Sequence, residues 1–227
     1  MRQLSFVISA SSFLTHSLIH SFLISPPMPI AEEFQPVTDR VAFWQAYAPA
    51  VKCDLSCCAL RMEGGLVFID PILLAADALA ELTGFAAPLA VVCTNGNHAR
   101  AAEEYRARFG IPVLAHADAV AELGIAVDQT VADGEVILGG LGVIALPGAV
   151  AGEIALHSPH GTLHIGDALI HLEATGFTLL PEKYCLDARE LRRAAGKLLR
   201  IDFELLTFAH GLPLAAKARQ RLETLLA

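Results

Sequence analysis

Positive charge is scarce in this 227-residue chain: 16 Lys and Arg stand against 24 Asp and Glu, for a formal net charge of −8. A nucleic-acid surface needs clustered Lys and Arg to replace phosphate counterions, so nucleic-acid partners are excluded in favour of small neutral or polar molecules. Cysteine is too sparse and too irregular for a framework. Cys53, Cys57, Cys58, Cys93 and Cys185 are odd in number and lack paired C-x-x-C spacing, which points to buried reduced thiols rather than disulfides or a cysteine zinc knuckle. Internal repeats and low-complexity linkers are missing too. What is abundant is apolar: 54% of residues are hydrophobic and mean hydropathy is +0.51, ample for a substantial core.

Residues 1–30 differ from the rest and are read as an N-terminal extension to a domain spanning 31–227. Arg2 precedes an apolar run salted with Ser, His16 and His20, and Ser25-Pro26-Pro27-Met28-Pro29 follows. A basic start and hydrophobic middle suit a secretory signal. The run also approaches the span of about 20 residues that crosses a bilayer. A tail or start-site artefact is a third reading, because domain-like sequence follows Met28 directly, and an integral element of the fold is a fourth. A cytoplasmic protein goes with the tail or artefact; export or anchoring goes with a genuine signal. No other membrane partner is expected, and the sequence leaves oligomeric state open.

From about Gln35, short strands and helices alternate. Val41 to Tyr47, Leu55 to Met62 and Gly65 to Ile69 read as strands, and Leu73 to Leu82 as a helix. Leu89 to Thr94 reads as a buried strand running into a helix from His98 to Phe109. Pro112 to Ala115 is a further strand, Ala117 to Leu123 a short helix, and Val136 to Leu146 and Glu153 to Ile165 are strands with Gly-rich turns. Asp187 to Leu199 is an amphipathic helix, Phe203 to Ala209 an apolar strand, and Pro213 to Leu226 a closing helix.

The chemistry gathers where those strands end. Val91 to Arg100 reads VVCTNGNHAR, an apolar strand giving way to a polar turn. Leu146-Pro147-Gly148-Ala149-Val150-Ala151-Gly152 follows another strand, and Gly161-Thr162-Leu163-His164-Ile165-Gly166-Asp167 ends a third. Ala209-His210-Gly211-Leu212-Pro213 ends a fourth, and Gly64 to Pro71, GGLVFIDP, carries Asp70. In this order and spacing, from about Val37 to the C-terminus, the segments resemble the metallo-β-lactamase superfamily. There a strand ending in Thr is followed by H-x-H-x-D-H, then by P-G-H-T-x-G, a strand ending in G-D, and H-G-x-P.

The resemblance implies a four-layer αββα sandwich, an α/β fold of two mainly antiparallel sheets with helices on their outer faces. It also implies a metal-dependent hydrolase that directs activated water at an ester, lactone or amide. Most ligand positions have changed. Asn95 and Asn97 stand for the two spaced His, Ala99 for the Asp, Arg100 for the last His and Ala149 for the His of the P-G-H turn. Asp167 and His210 remain as the catalytic and metal-binding residues, with His98 as a third ligand if the loop is rebuilt.

That donor set supports either no metal or at most one weakly held divalent ion, zinc, iron or manganese, because a two-metal site needs about twice as many ligands. Two readings follow. One is a hydrolase-like protein whose metal site is largely lost. The other is a metal-free binding protein or pseudoenzyme in which Arg100, always protonated, forms a bidentate pair with Asp167 in place of the metals. Asn95 and Asn97 are then expected to satisfy neighbouring polar groups, His210 among them. The substrate is not specified by either reading. Cys93, between apolar residues, reads as inert packing. His157, His160 and His164 read as surface or tautomer-satisfied side chains, and Arg189, Arg192, Arg193, Lys197 and Arg200 as a solvated helix face.

Overall fold

The computed structural model describes residues 28–227; the extension discussed above falls mostly outside them. Among the described residues no helix is long and apolar enough to cross a membrane. Two sheets lie face to face. The first runs β1 (Gln35–Pro36), β2 (Val41–Ala48), β3 (Cys53–Met62), β4 (Gly65–Ile69), β5 (Pro88–Cys93), β6 (Val113–His116) and β7 (Gln129–Val131), hydrogen-bonded in that order. Its first four strands pair antiparallel, whereas β4 to β7 pair in parallel. The second sheet joins β8 (Val136–Ile137), β9 (Leu141–Ala145), β10 (Ile154–His157), β11 (Thr162–Ile165) and, in parallel to β11, β14 (Leu205–Phe208). A hairpin of β12 (Leu169–Leu172) and β13 (Gly176–Leu179), which the sequence pattern left unassigned, stands beside it.

The period of two along a strand explains why this chain makes four layers. In β4, Val67 and Ile69 enter the core between the sheets, while Leu66 and Phe68 enter the core under the outer helices. In β5, Ala90 and Val92 face the second sheet, and Val91 and Cys93 face the helices. Helices α1 (Ala76–Phe85), α2 (Ala102–Phe109) and α3 (Val120–Leu123) cover the first sheet, with Leu79, Leu82, Tyr105 and Leu123 buried against it. On the other side α4 (Ala188–Ala195) and α5 (Ala218–Leu226) bury Leu191, Ala194 and Leu222 against Leu163, Ile165 and Phe208. Three separate apolar layers therefore lie between four structural ones.

Several elements are shorter than their hydrophobic patterns suggest. The segment Val136 to Leu146 splits into β8 and β9 because Leu138, Gly139 and Gly140 all take positive φ. Glu153 to Ile165 is a hairpin broken at Ser158–Gly161, where Gly161 N donates to Ser158 O. The first helix starts at Ala76, since Leu73 and Leu74 pair with Ile30 and Ala31. The second starts at Ala102 rather than at His98. Arg100 there has φ +40, a left-handed conformation that interrupts any helix and turns the preceding residues inward. Cys93 is fully buried as packing, and the five basic residues between Arg189 and Arg200 are all exposed. His160 is exposed, but His164 is not a surface residue: it is fully buried between the sheets.

Candidate metal centre

Parallel pairing brings the polar strand ends together at one edge of the sandwich. Ile165 of β11 lies opposite Phe208 of β14, so the chains leave the sheet side by side toward Asp167 and His210. Ile69 of β4 lies opposite Val92 of β5, which sets Asp70 beneath Thr94. The turn at 147–152 closes against the same loop, with Gly96 N donating to Ala151 O at 3.1 Å and Ile154 N to Thr94 O at 2.8 Å. That turn is fixed in its own right by Gly148 (φ +94), where any Cβ would collide with the N-terminal turn of α4. Asp187 caps α4 there, accepting from Arg189 N and Glu190 N at 2.9 Å each.

Asp70 is the hub of the floor. Fully buried, it accepts from Thr94 N at 2.7 Å, from Thr94 Oγ1 at 2.5 Å and from His98 Nδ1 at 2.9 Å. His164 Nε2 adds a charge contact at 3.6 Å from the second sheet. Burial works against its charge, yet His98, His164 and Arg100 together hold the carboxyl well below the usual range. His164 itself is penalised by burial, but the Cys58 sulfur and Asp70 hold its pKa up at about 9.

Above this floor His98, Asp167 and His210 converge, with one ligand atom from each lying within 4.8 Å of the others. Asp167 Oδ1 is 3.3 Å from His98 Nε2 and 3.3 Å from His210 Nε2. Charge-assisted hydrogen bonds are shorter, about 2.7–2.9 Å. The edge of a tetrahedron around an ion with bonds of about 2.1 Å is about 3.4 Å, so the two edges that meet at Asp167 Oδ1 have the length a shared centre needs, and the edge between the two imidazoles stays within 4.8 Å. Each imidazole is also turned for that task. His98 Nδ1–H donates to Asp70, and His210 Nδ1–H donates to Asp54 O at 3.1 Å, which leaves both Nε2 atoms facing inward. The residues present thus fit one divalent ion.

Charge in the cleft is strongly coupled. Burial opposes protonation of His98, but Asp70 and Asp167 raise its pKa against the opposing charge of Arg100. His210 is likewise raised despite burial, chiefly by Asp167. Asp167 is lowered well below its ordinary value despite burial, by His98 and His210. A metal would have to displace protons from the imidazoles, which makes uptake dependent on pH.

The expected pair between Arg100 and Asp167 does not form. Arg100 does point inward, but its Nη1 donates to Ser56 O at 2.7 Å and Asp70 O at 3.0 Å, and its Nη2 to Ala209 O at 3.1 Å. Nη2 also stands 3.3 Å from His98 Nε2 and 3.4 Å from His210 Nε2. Three backbone carbonyls claim the guanidinium because the left-handed turn at residue 100 carries it past the carboxylate. Asp167 instead faces the two His across 3.3 Å each and accepts a hydrogen bond from Asn95 Nδ2 at 3.2 Å.

Asn95 does not bond His210 either. Fully buried, it spans Asp167 and Glu153, whose Oε2 it reaches at 2.8 Å, while its Oδ1 accepts from Asn97 N at 2.9 Å. Asn97 is exposed and offers the cleft only that backbone group. Ala149 is buried on the 147–152 turn and brings no donor. Glu153 was not singled out in the sequence, and it is 3% exposed. Burial, followed by the charge of Asp167, raises its pKa well above the carboxylate range. Its signal was an acid inside the apolar run Ala149-Val150-Ala151-Gly152-Glu153-Ile154-Ala155-Leu156.

Four layers with a polar cluster at the strand ends define an αββα sandwich, and sequence comparison gives the family. Residues 38–227 match the metallo-β-lactamase superfamily, and the chain belongs to it. No curated protein matches it. Among solved structures it resembles a metallo-β-lactamase from Pontibacter korlensis, with 18% identity, TM-score 0.67, and coverage of 86% of this chain and 98% of that one. A metallo-β-lactamase from Erythrobacter litoralis shares 15% identity over 85% of this chain and 95% of its own, with TM-score 0.68. The FIM-1 metallo-β-lactamase from Pseudomonas aeruginosa, in a mono-zinc form, shares 14% over 88% and 96%, with TM-score 0.67. At such identities the likeness to these structures is one of fold.

Proposed function

We propose that the protein is a hydrolase that works with a single, weakly held divalent ion, zinc, iron or manganese, at His98, Asp167 and His210. The observation that carries this reading is the 3.3 Å spacing of Asp167 Oδ1 from both Nε2 atoms. A bound ion supplies Lewis acidity toward a carbonyl or phosphoryl oxygen and toward water. Asp167 contributes the negative charge that draws the ion in. Asp70 and the Asp54 carbonyl hold His98 and His210 in the tautomer that presents Nε2. The His98 side chain is 3% exposed and that of His210 18%, so substrate approaches from the His210 side. The reaction class is attack of water on an ester, lactone or amide.

Arg100 favours a second reading, a metal-free binding protein, because its Nη2 faces the same two imidazole nitrogens. His210 then serves as a base toward a bound ligand, with Nδ1 anchored on Asp54 O. Metal titration separates the two. Purified protein dialysed free of metal is expected to take up about one equivalent of zinc or manganese and to hydrolyse a simple activated ester only when loaded. Asp167→Asn and His98→Ala are expected to abolish both. Absence of uptake by the folded wild-type chain refutes the metal reading and leaves the binding protein.

A further inference from the structure

Glu153 is a buried carboxyl that the reading above does not use, and its two oxygens meet the strand end that carries Asp167 and the amide of Asn95, which itself reaches Asp167. Its Oε1 accepts from Ala168 N at 2.8 Å, the residue after Asp167. Its Oε2 accepts from Asn95 Nδ2 at 2.8 Å, and the same amide nitrogen continues to Asp167 Oδ2 at 3.2 Å. The residue before Asp167 makes room for it: a Cβ on Gly166 would lie 2.9 and 3.0 Å from the two Glu153 oxygens and 2.5 Å from Thr94 Oγ1. The carboxyl is thus held against residues 166, 167 and 168 together. The Asn95 amide has no freedom to turn over, because its Oδ1 is engaged by Asn97 N at 2.9 Å.

We propose that Glu153 is the positioning residue of the metal centre, acting through Asn95 and the 166–168 backbone to fix Asp167 so that Oδ1 faces His98 and His210. With Oδ2 tied to Asn95 at 3.2 Å, Asp167 is left with Oδ1 to present to the cleft, where it would help to hold an ion. Both Glu153 oxygens act as acceptors, and both partners are donors. Gln at this position must therefore turn an NH2 group against either Asn95 Nδ2 or Ala168 N, although its size is unchanged. An aliphatic side chain would confound the result with lost volume; Gln tests the hydrogen-bond polarity alone.

This proposal rests on the mononuclear reading, so its test has one readout that needs metal and one that does not. Cobalt(II) is the probe for the first. Glu153→Gln that melts within a few degrees of wild type is expected to bind cobalt at least about tenfold more weakly, roughly 1.4 kcal/mol, with an altered visible spectrum. The second readout is the χ1 rotamer of Asp167, from three-bond couplings in metal-free protein: one rotamer in wild type, averaging in Glu153→Gln. If Glu153→Gln does not fold, Asn95→Ala removes the same relay and is expected to give the same two changes. Wild-type protein that takes up no cobalt refutes the metal reading while the rotamer result still decides the role of Glu153. A folded variant with a single Asp167 rotamer and, where wild type binds cobalt, unchanged affinity and spectrum overturns the proposal.

Discussion

Arg100 Nη2 lies 3.4 Å from His210 Nε2, so a permanent cation faces the nitrogen that a metal needs as a donor. The guanidinium cannot withdraw cheaply, since it also satisfies the carbonyls of Ser56, Asp70 and Ala209. Removing it frees the imidazoles and strips three partly buried acceptors at once. Arg100→Ala is therefore expected to bind zinc more tightly and to lose stability by roughly 2–4 kcal/mol, from acceptors left unpaired. Isothermal titration and urea denaturation measure the two effects. A variant less stable but no better at binding zinc shows that Arg100 does not compete with metal.

Thr94 is the second test. Its hydroxyl donates to Asp70 at 2.5 Å beside His98 Nδ1 at 2.9 Å, in a fully buried position. Thr94→Val keeps the volume and removes one donor from a buried carboxylate, which costs roughly 1.5–3 kcal/mol. Chemical denaturation of the metal-free proteins should show that loss, and a difference under about 0.5 kcal/mol, the range of neutral surface changes, would argue that Asp70 is satisfied without it.

Acidity provides a third. His164 titrates at about 9 in the fold against an ordinary 6.5, so its protonated form is favoured by folding. That contribution is complete below about pH 6.5 and is lost as pH rises through about 9, with an upper bound of roughly 3 kcal/mol. Asp70 behaves oppositely: its lowered pKa gives stability that is present above the ordinary carboxylate range and lost in strong acid. Urea midpoints between pH 6 and 9.5 should fall for wild type, and less for His164→Gln. Equal slopes would remove His164 as the source.

Gly166→Ala is the fourth. The backbone there is not left-handed, so the whole effect comes from the Cβ crowding Thr94 Oγ1 and the Glu153 carboxyl. Overpacking of this kind costs typically about 1–3 kcal/mol, read as a lower melting temperature together with weaker cobalt binding. A tighter site would mean that the strand end can shift without disturbing Asp167.

The bond from Asn95 to Glu153 joins residues 58 apart in the chain, and it marks where the one-dimensional pattern stops. Continuous apolar runs in Gly65 to Ile69 and Leu89 to Thr94 were enough to place strands buried on both faces, and the ordered strand-end motifs were enough to name the superfamily. Asp167 and His210 could be paired in advance because the resemblance to the superfamily implies that its G-D and H-G-x-P turns meet at one site. Arg100 could not be aimed. Its direction depends on a left-handed φ that neither neighbour demands, and that angle carries the guanidinium to three carbonyls from separate strands.

What the sequence carried by itself was the order of its strand-end motifs, whose resemblance to the superfamily implies the four layers and with which the order of strands and helices agrees. It also determined the loss of donors at Asn95, Ala99 and Ala149, since side-chain chemistry does not depend on context. Tertiary structure alone decided that His98 turns inward onto Asp70, that Glu153 pairs with Asn95, and that Asp167 meets two imidazoles rather than a guanidinium. Those outcomes rest on contacts of about 3 Å between residues far apart in the chain. Parallel strand register and one left-handed turn set them, and neither leaves a periodic trace in the order of residues.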